Sequence, residues 1–188
     1  MRLVNKCCLL LFVFGMHVVL AQAPELRKPD VIFVPTPQAA VEAMLKLANV
    51  GPNDIVYDLG CGDGRMVATA AKMFGARGVG IDIDPERIEE SNRTVKEAGV
   101  QDRVKIRQED LFEADIKEAT VVTLYLLRSL NLKLRPKLWK ELKPGTRIVS
   151  QTFDMDDWKP EKQIEVEGRQ LYLWRVPATP PTTAAAAK

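Results

Sequence analysis

Residues 55–65, IVYDLGCGDGR, decide the fold, because an apolar run passes directly into three glycines at alternate positions. Such a run before a glycine-rich turn is typical of a buried strand followed by a loop. Glycine costs backbone entropy and contributes no packing, so its repetition predicts that something comes close to this backbone. The loop also precedes a helix, whose first N–H groups are free to meet a ligand.

Strands and helices are predicted to alternate along most of the chain. Further strands are predicted at residues 78–83, 103–108, 119–127 and 146–153, and helices at 65–74, 85–98 and 130–142. A helix opening at Thr36-Pro37 precedes the first strand, and Pro136 is expected to kink the last helix or break it in two. This alternation predicts a mostly parallel sheet with helices on both faces. Two final runs, 162–168 and 169–176, meet at Glu167-Gly168 and predict a hairpin.

The two ends of the chain differ from the middle. Arg2 and Lys6 precede an apolar run at 7–20, and Ala21-Gln22-Ala23 follows, which is the layout of a secretory signal peptide. The run is shorter than the ~20 residues of a spanning helix, so residues 1–23 are predicted to export the protein to the periplasm. The alternative is an uncleaved anchor, with membrane contact through residues 7–20 and the rest of the chain in the cytosol. Residues 177–188 are of low complexity and predict a disordered tail.

Charge and composition argue against two kinds of partner, nucleic acid and a metal ion held by histidines. The chain carries a net charge of +2, and residues 24–188 hold 25 basic and 25 acidic residues, a balance that does not favour nucleic acid. The one histidine, His17, lies in the leader, so a histidine-based metal site is not expected. We predict no metal.

Three acidic residues follow three successive predicted strands. Asp58 ends the first strand, Asp82 ends the second and Asp110 follows the third. Because ligands of such sheets bind outside the carboxyl ends of the strands, the three carboxylates are expected on the ligand side, and Asp82 is placed to accept both hydroxyls of a ribose. Each could alternatively cap a helix or start a turn, which is a common use of aspartate.

The stretches VYDLGCGDGR, GVGIDIDP and QEDLF resemble motifs one, two and three of class I S-adenosylmethionine (SAM)-dependent methyltransferases. The resemblance implies a Rossmann-like α/β fold with a seven-stranded, mostly parallel sheet and a C-terminal antiparallel hairpin. It implies a lead-in and helix at 24–50 and the methyltransferase domain at 51–176. The cofactor is then SAM, and the residues implied to contact it are Asp58, Gly60, Cys61, Gly62, Gly64, Asp82, Ile83, Asp110 and Leu111.

A closer resemblance rests on FVPTP at 33–37 ahead of the glycine loop. This arrangement is similar to the ATP synthase c-subunit and adenine nucleotide translocase lysine methyltransferases, which implies a protein lysine as methyl acceptor. Acceptor entry is expected over the fourth and fifth strands, where Tyr125 could line the methyl channel and Asp154, with Asp156 and Asp157, could attract a cationic lysine. The alternatives are that Tyr125 belongs to the core and that these acids form a solvated loop.

We therefore predict a SAM-dependent methyltransferase acting on a protein lysine. No N/D-P-P-Y/F/W motif, which many methyltransferases of nucleic-acid amines carry, follows the fourth strand. A small-molecule methyltransferase and a non-catalytic SAM-binding protein are the alternatives.

Overall fold

The computed structural model describes residues 26–179, which contain seven strands and four helices; the last two strands form a terminal hairpin. The strands are β1 (Ile55–Leu59), β2 (Arg77–Asp82), β3 (Val104–Gln108), β4 (Val121–Leu124), β5 (Arg147–Gln151), β6 (Lys162–Val166) and β7 (Arg169–Arg175). The helices are α1 (Gln38–Leu47), α2 (Arg65–Phe74), α3 (Pro85–Ala98) and α4 (Arg128–Glu141).

All seven strands form one sheet in the order β3-β2-β1-β4-β5-β7-β6. The first five strands are parallel, whereas β7 runs antiparallel to both β5 and β6. The hairpin turns at Glu167 and Gly168, which both have positive φ. The predicted fold class is therefore confirmed. The strand order reverses between β1 and β4, which is where open α/β sheets bind their ligands.

Helices cover both faces of the sheet. On one face, α1 buries Met44 and Leu45 against a group that includes Val56 of β1 and Val149 of β5. On the other face, Leu134 and Leu138 of α4 are fully buried in the larger core cluster. Both layers hold the central strands rigidly, so the loops that follow β1, β2 and β4 start from fixed points.

Strand β4 and helix α4 depart from their predictions by more than the shifts of one or two residues at an end that the other elements show. Strand β4 ends at Leu124, not at Leu127, because its neighbours β1 and β5 supply partners only as far as Leu59 and Ser150. Helix α4 runs through Pro136 as one element, so of the two predicted effects, a kink or a break, the break into two pieces does not occur. The helix begins at Arg128, and Leu134 and Leu138 on either side of the proline are both buried, which holds the two halves to one sheet face.

Residues 26–36 form an extended lead-in segment before α1. The predicted signal peptide or anchor at 1–23 and most of the predicted tail, 180–188, lie outside the described residues. Within residues 26–179, no helix combines the length and the apolar character that a membrane span needs.

Candidate functional site

The loop after β1 is fastened to β2 at the carboxyl edge of the sheet. The amides of Gly60 and Cys61 both donate to the carbonyl oxygen of Ile81, at 2.8 and 2.9 Å. Asp82 follows Ile81 directly, so this pair of hydrogen bonds fixes the glycine loop next to the Asp82 carboxylate. The structure thus brings the first two predicted motifs together.

Each of the three loop glycines has a positive φ: +84° at Gly60, +55° at Gly62 and +77° at Gly64. A Cβ at Gly62 would stand 2.1 Å from the Phe33 ring, which lies over the loop from the lead-in segment. At Gly64 it would stand 3.0 Å from Ser91. Backbone conformation and packing by this chain therefore already require glycine here, independently of any ligand.

Several residues that sequence reasoning missed hold the loop in place. Ser91 of α3 is fully buried and donates its hydroxyl to the carbonyl oxygen of Gly62 at 2.7 Å. Arg65 donates to the Thr36 carbonyl oxygen at 2.9 Å and so ties the lead-in segment to the start of α2. The guanidinium of Arg87 lies 4.9 Å from the centre of the Phe33 ring. The one sequence signal available was Ser91, a serine at a position where the helical spacing of α3 predicts an apolar residue.

Asp58 is buried at the end of β1. The hydroxyl of Thr123 donates to it at 2.7 Å. Burial raises the pKa of Asp58 to about 7, and the nearby Asp82 and Asp63 carboxylates act in the same direction, against the Thr123 hydrogen bond. The side chain is therefore a buried acceptor that a cationic group would stabilise in its ionised form.

Cys61 is buried beside Asp58. Burial raises the pKa of its thiol well above the usual value, and the Asp58 carboxylate adds to the shift. Its sulfur lies 3.6 Å from the Ser91 hydroxyl. A thiol with a raised pKa is a poor nucleophile, so Cys61 acts as a small residue that fills the space under the loop.

Asp82 accepts one backbone hydrogen bond on each carboxylate oxygen. The amide of Gly62 donates to one oxygen at 2.8 Å and the amide of Asp84 to the other at 3.0 Å. A carboxylate has about four lone-pair sites, so two remain for a ligand. The geometry suits a pair of neighbouring hydroxyl groups.

Asp110 is engaged by the lead-in segment. Arg27 donates to both of its oxygens, at 2.5 and 3.1 Å, and the Phe112 amide donates at 2.9 Å. Burial alone would raise the pKa of Asp110, but the hydrogen bonds from Arg27 and Phe112 hold it below its usual value. Three of about four acceptor sites are thus in use by this chain.

Seven of the nine predicted cofactor residues line a row of adjoining hollows along the carboxyl edge. Gly62 and Gly64 line none of them, because Phe33 and Ser91 pack against these two glycines. We call the middle one the central cleft; it is lined by residues of the lead-in segment and by Gly60, Asp82, Ile83, Asp84, Arg87, Glu109, Leu111, Tyr125, Leu126 and Leu130. Asp58 and Cys61 line an inner hollow that shares Gly60 and Tyr125 with it. Asp110 lines an outer cleft that shares Ile83 with it. The row can hold an elongated ligand with hydroxyls near Asp82 and an apolar part near Ile83 and Leu111.

A further hollow, the acceptor cleft, opens beyond β4 and β5. It is lined by Asp30, Val31, Ile32, Val34, Tyr125, Leu126, Leu127 and Phe153. Tyr125 lines this cleft, the central cleft and the inner hollow, so it stands at their junction, where a methyl channel was predicted. Asp154 lies next to Phe153 but is paired with Arg128 at 3.2 Å.

No three His, Cys, Asp or Glu side chains are grouped to hold a metal ion in the part of the chain that the structure describes.

Comparison with known proteins gives a consistent set of relatives. The model of the ANTKMT methyltransferase domain matches residues 58–162. A protein-lysine N-methyltransferase of Saccharolobus islandicus (strain REY15A) is 51% identical over 140 residues, which cover 74% of this chain and 87% of that protein. The human ATP synthase c-subunit lysine N-methyltransferase is 30% identical over 138 residues, 73% of this chain and 58% of the human protein. The chain thus spans little more than half of that relative's length.

A solved structure is also similar. The crystal structure of an RNA methyltransferase from Salinibacter ruber in complex with S-adenosyl-L-homocysteine is 55% identical, with a TM-score of 0.78 over 79% of this chain and 97% of that one.

Proposed function

This chain belongs to the ANTKMT methyltransferase domain family, and from that membership we propose that it transfers a methyl group from SAM to a lysine side chain of a protein. The observation that carries the proposal is the 51% identity to a protein-lysine N-methyltransferase of which the chain covers 87%. The similar structure from Salinibacter ruber, which contains S-adenosylhomocysteine (SAH), supports SAM as the methyl donor.

The residues at the carboxyl edge fit this cofactor. Asp82 has two unused acceptor sites for the ribose hydroxyls, and Ile83 and Leu111 offer apolar contact to the adenine. Asp58, ionised, is the partner for the amino group, in the inner hollow that it lines together with Gly60 and Cys61. Asp110 has about one acceptor site left for the adenine amino group while Arg27 remains in place.

When bound, SAM supplies a methyl group on a sulfonium, which an amine nitrogen can take by in-line attack. Positioning is then the main task of the protein and can be worth ~7–11 kcal/mol. Tyr125, at the junction of the clefts, is the side chain that we propose to border the path of the methyl group. The lysine nitrogen must be deprotonated before attack, since its ordinary pKa is ~10.4, and the open acceptor cleft lets the proton leave to water.

RNA is the second candidate acceptor. It is favoured by one observation, the 55% identity to the RNA methyltransferase of Salinibacter ruber. Against it stand the balanced charge of residues 24–188 and the absence from the sequence of the motif that many nucleic-acid amine methyltransferases share.

The test is methyl transfer from labelled SAM into a whole lysate of the source cell, separated into protein, RNA and small molecules. We expect label in protein that resists nuclease and is removed by protease. Label in RNA would replace the lysine proposal with the second candidate, and label in small molecules would support a small-molecule enzyme. Absence of label, with SAH still bound by calorimetry, would indicate a binding protein.

A further inference from the structure

The acceptor cleft is continuous with the proposed cofactor site. Asp30, Val34 and Tyr125 line both the acceptor cleft and the central cleft. A side chain that enters the acceptor cleft from outside therefore reaches the wall that the two clefts share. A polar side chain on that shared wall is therefore placed to contact the end of the incoming side chain.

Among the residues that line the acceptor cleft, Asp30 alone carries a carboxylate. Within residues 26–179, its one hydrogen bond comes from Arg27, which donates to Oδ2 at 2.5 Å, so Oδ1 stays available. Arg27 also forms a salt bridge with Asp110, so a single guanidinium pairs with two carboxylates. Arg27, Asp30 and Asp110, which we call the Arg27 group, together carry one negative charge. Lys133 acts on this group at Asp110, so the charge left for a further cation lies at Asp30.

The aspartates predicted from sequence to attract a lysine are less suited to that role. Asp154 and Asp156 both pair with Arg128, and Asp157 pairs with Arg135. None of the three lines the acceptor cleft. Arg128 faces two carboxylates just as Arg27 does, so the difference from Asp30 is one of position: these aspartates lie outside the acceptor cleft.

The rim of the acceptor cleft is apolar and exposed. Ile32 is 86% exposed, Val34 50% and Leu127 47%. Large apolar side chains that cluster in the open around a cleft are a mark of an interaction site. The aliphatic stem of a lysine, and apolar residues beside it in the chain, would cover this rim.

We propose that Asp30 binds the ammonium group of the acceptor lysine and that the apolar rim selects lysines flanked by apolar residues. This inference rests on the proposed function, whose site it extends. Lysine binding adds a second cation to the Arg27 group without displacing Arg27 from Asp110, because Asp30 Oδ1 accepts it.

The experiment measures binding by the full chain, saturated with SAH, of two synthetic peptides that differ only at the lysine's neighbours. One has its single lysine between two leucines and the other between two serines. We expect the leucine peptide to bind more tightly. Asp30→Asn should weaken its binding by about twofold to fivefold, the usual loss for a solvent-exposed ion pair, and Asp30→Glu should restore most of it.

Glu161→Gln is the matched control, since Glu161 is also half-exposed and paired with one arginine, Arg175, at the start of β6. It should leave peptide binding and SAH affinity unchanged. Measuring peptide binding of the Asp30 variants at saturating SAH separates a loss of peptide from any change in SAH affinity, since Asp30 also lines the central cleft. No binding of either peptide by the unmodified chain, equal binding of both, or full binding by Asp30→Asn would each overturn the inference. The lysate labelling tests the function separately: protein labelled on lysine, together with any of these three results, leaves the function standing and removes the role of Asp30.

Discussion

The Asp82 carboxylate has two roles. It accepts a hydrogen bond from the loop amide of Gly62, and it has acceptor sites left for the ribose hydroxyls. Asp82→Ala should lower SAH affinity about tenfold or more, since each stranded hydrogen bond costs ~1–3 kcal/mol. Calorimetry measures the affinity, and thermal unfolding checks that the variant is folded. The exposed Asp102→Ala is the control and should bind SAH normally. Unchanged affinity in Asp82→Ala would remove Asp82 from the ribose site.

Asp58 makes stability depend on pH. Burial raises its pKa from 3.8 to about 7, so between these values the folded protein keeps a proton that the unfolded chain has released. The contribution of Asp58 to stability therefore falls as the pH rises through this range and stays low above it. Asp58→Asn removes the titration and keeps an acceptor for Thr123.

We expect Asp58→Asn to raise the unfolding temperature, relative to the unmodified chain, more at pH 8 than at pH 5. Parallel thermal scans at the two pH values give this difference, and Asp102→Asn should show none. An equal shift at both pH values would show that Asp58 does not titrate between them.

The sequence predicted residues of this site wherever a strand end determines the position. Asp58 and Asp82 follow parallel strands, so their meeting at one edge follows from the alternation of strands and helices. Arg27 could not be predicted, because it meets Asp110 across 83 residues of sequence and no local pattern marks that contact. Asp30 was missed for the same reason.

At the scale of elements, the lead-in segment and the glycine loop pack as a pair. A Cβ on Gly62 would meet the Phe33 ring, and its φ of +55° is unfavourable for other residues. Gly62→Ala should lower the free energy of unfolding by ~1–2 kcal/mol through the backbone conformation, and the contact with Phe33 should add to this cost. In urea denaturation, Gly62→Ala combined with Phe33→Ala should therefore cost less than the sum of the two single changes.

Gly51→Ala is the control for this cycle, because a Cβ there meets nothing within 4 Å and needs no positive φ. It should change stability little. Strictly additive costs for Gly62→Ala and Phe33→Ala would show that the ring does not constrain the loop.

Element boundaries were predictable where a residue type sets them. Helices α2 and α3 end at Phe74 and Ala98, the predicted bounds, because the glycine that follows each of them takes the left-handed conformation that closes a helix. The effect of Pro136 was not predictable from local preference, because burial of α4 against the sheet outweighs the missing backbone hydrogen bond.

At the scale of the whole molecule, sheet order and hairpin place two clefts side by side on one edge. The signals for this arrangement were strand alternation and the final paired runs, and both were confirmed. The lead-in segment completes the edge by lining the central and the acceptor cleft together. An extended segment without a repeating pattern has no sequence signal for its path, so this part required the structure.

The location of the protein stays a prediction from residues 1–23. If they are a signal peptide, the mature protein from fractionated cells should lack them and be found outside the cytosol. N-terminal sequencing of each fraction measures this. An intact N-terminus in the membrane fraction would favour the anchored alternative, which keeps the domain where SAM is made.

The most direct test of the account is to hydrolyse the protein labelled from SAM and identify the labelled amino acid. We predict methylated lysine, formed by the unmodified chain and lost with Asp82→Ala. Label in RNA nucleosides instead, or on an amino acid other than lysine, would contradict the proposed reaction.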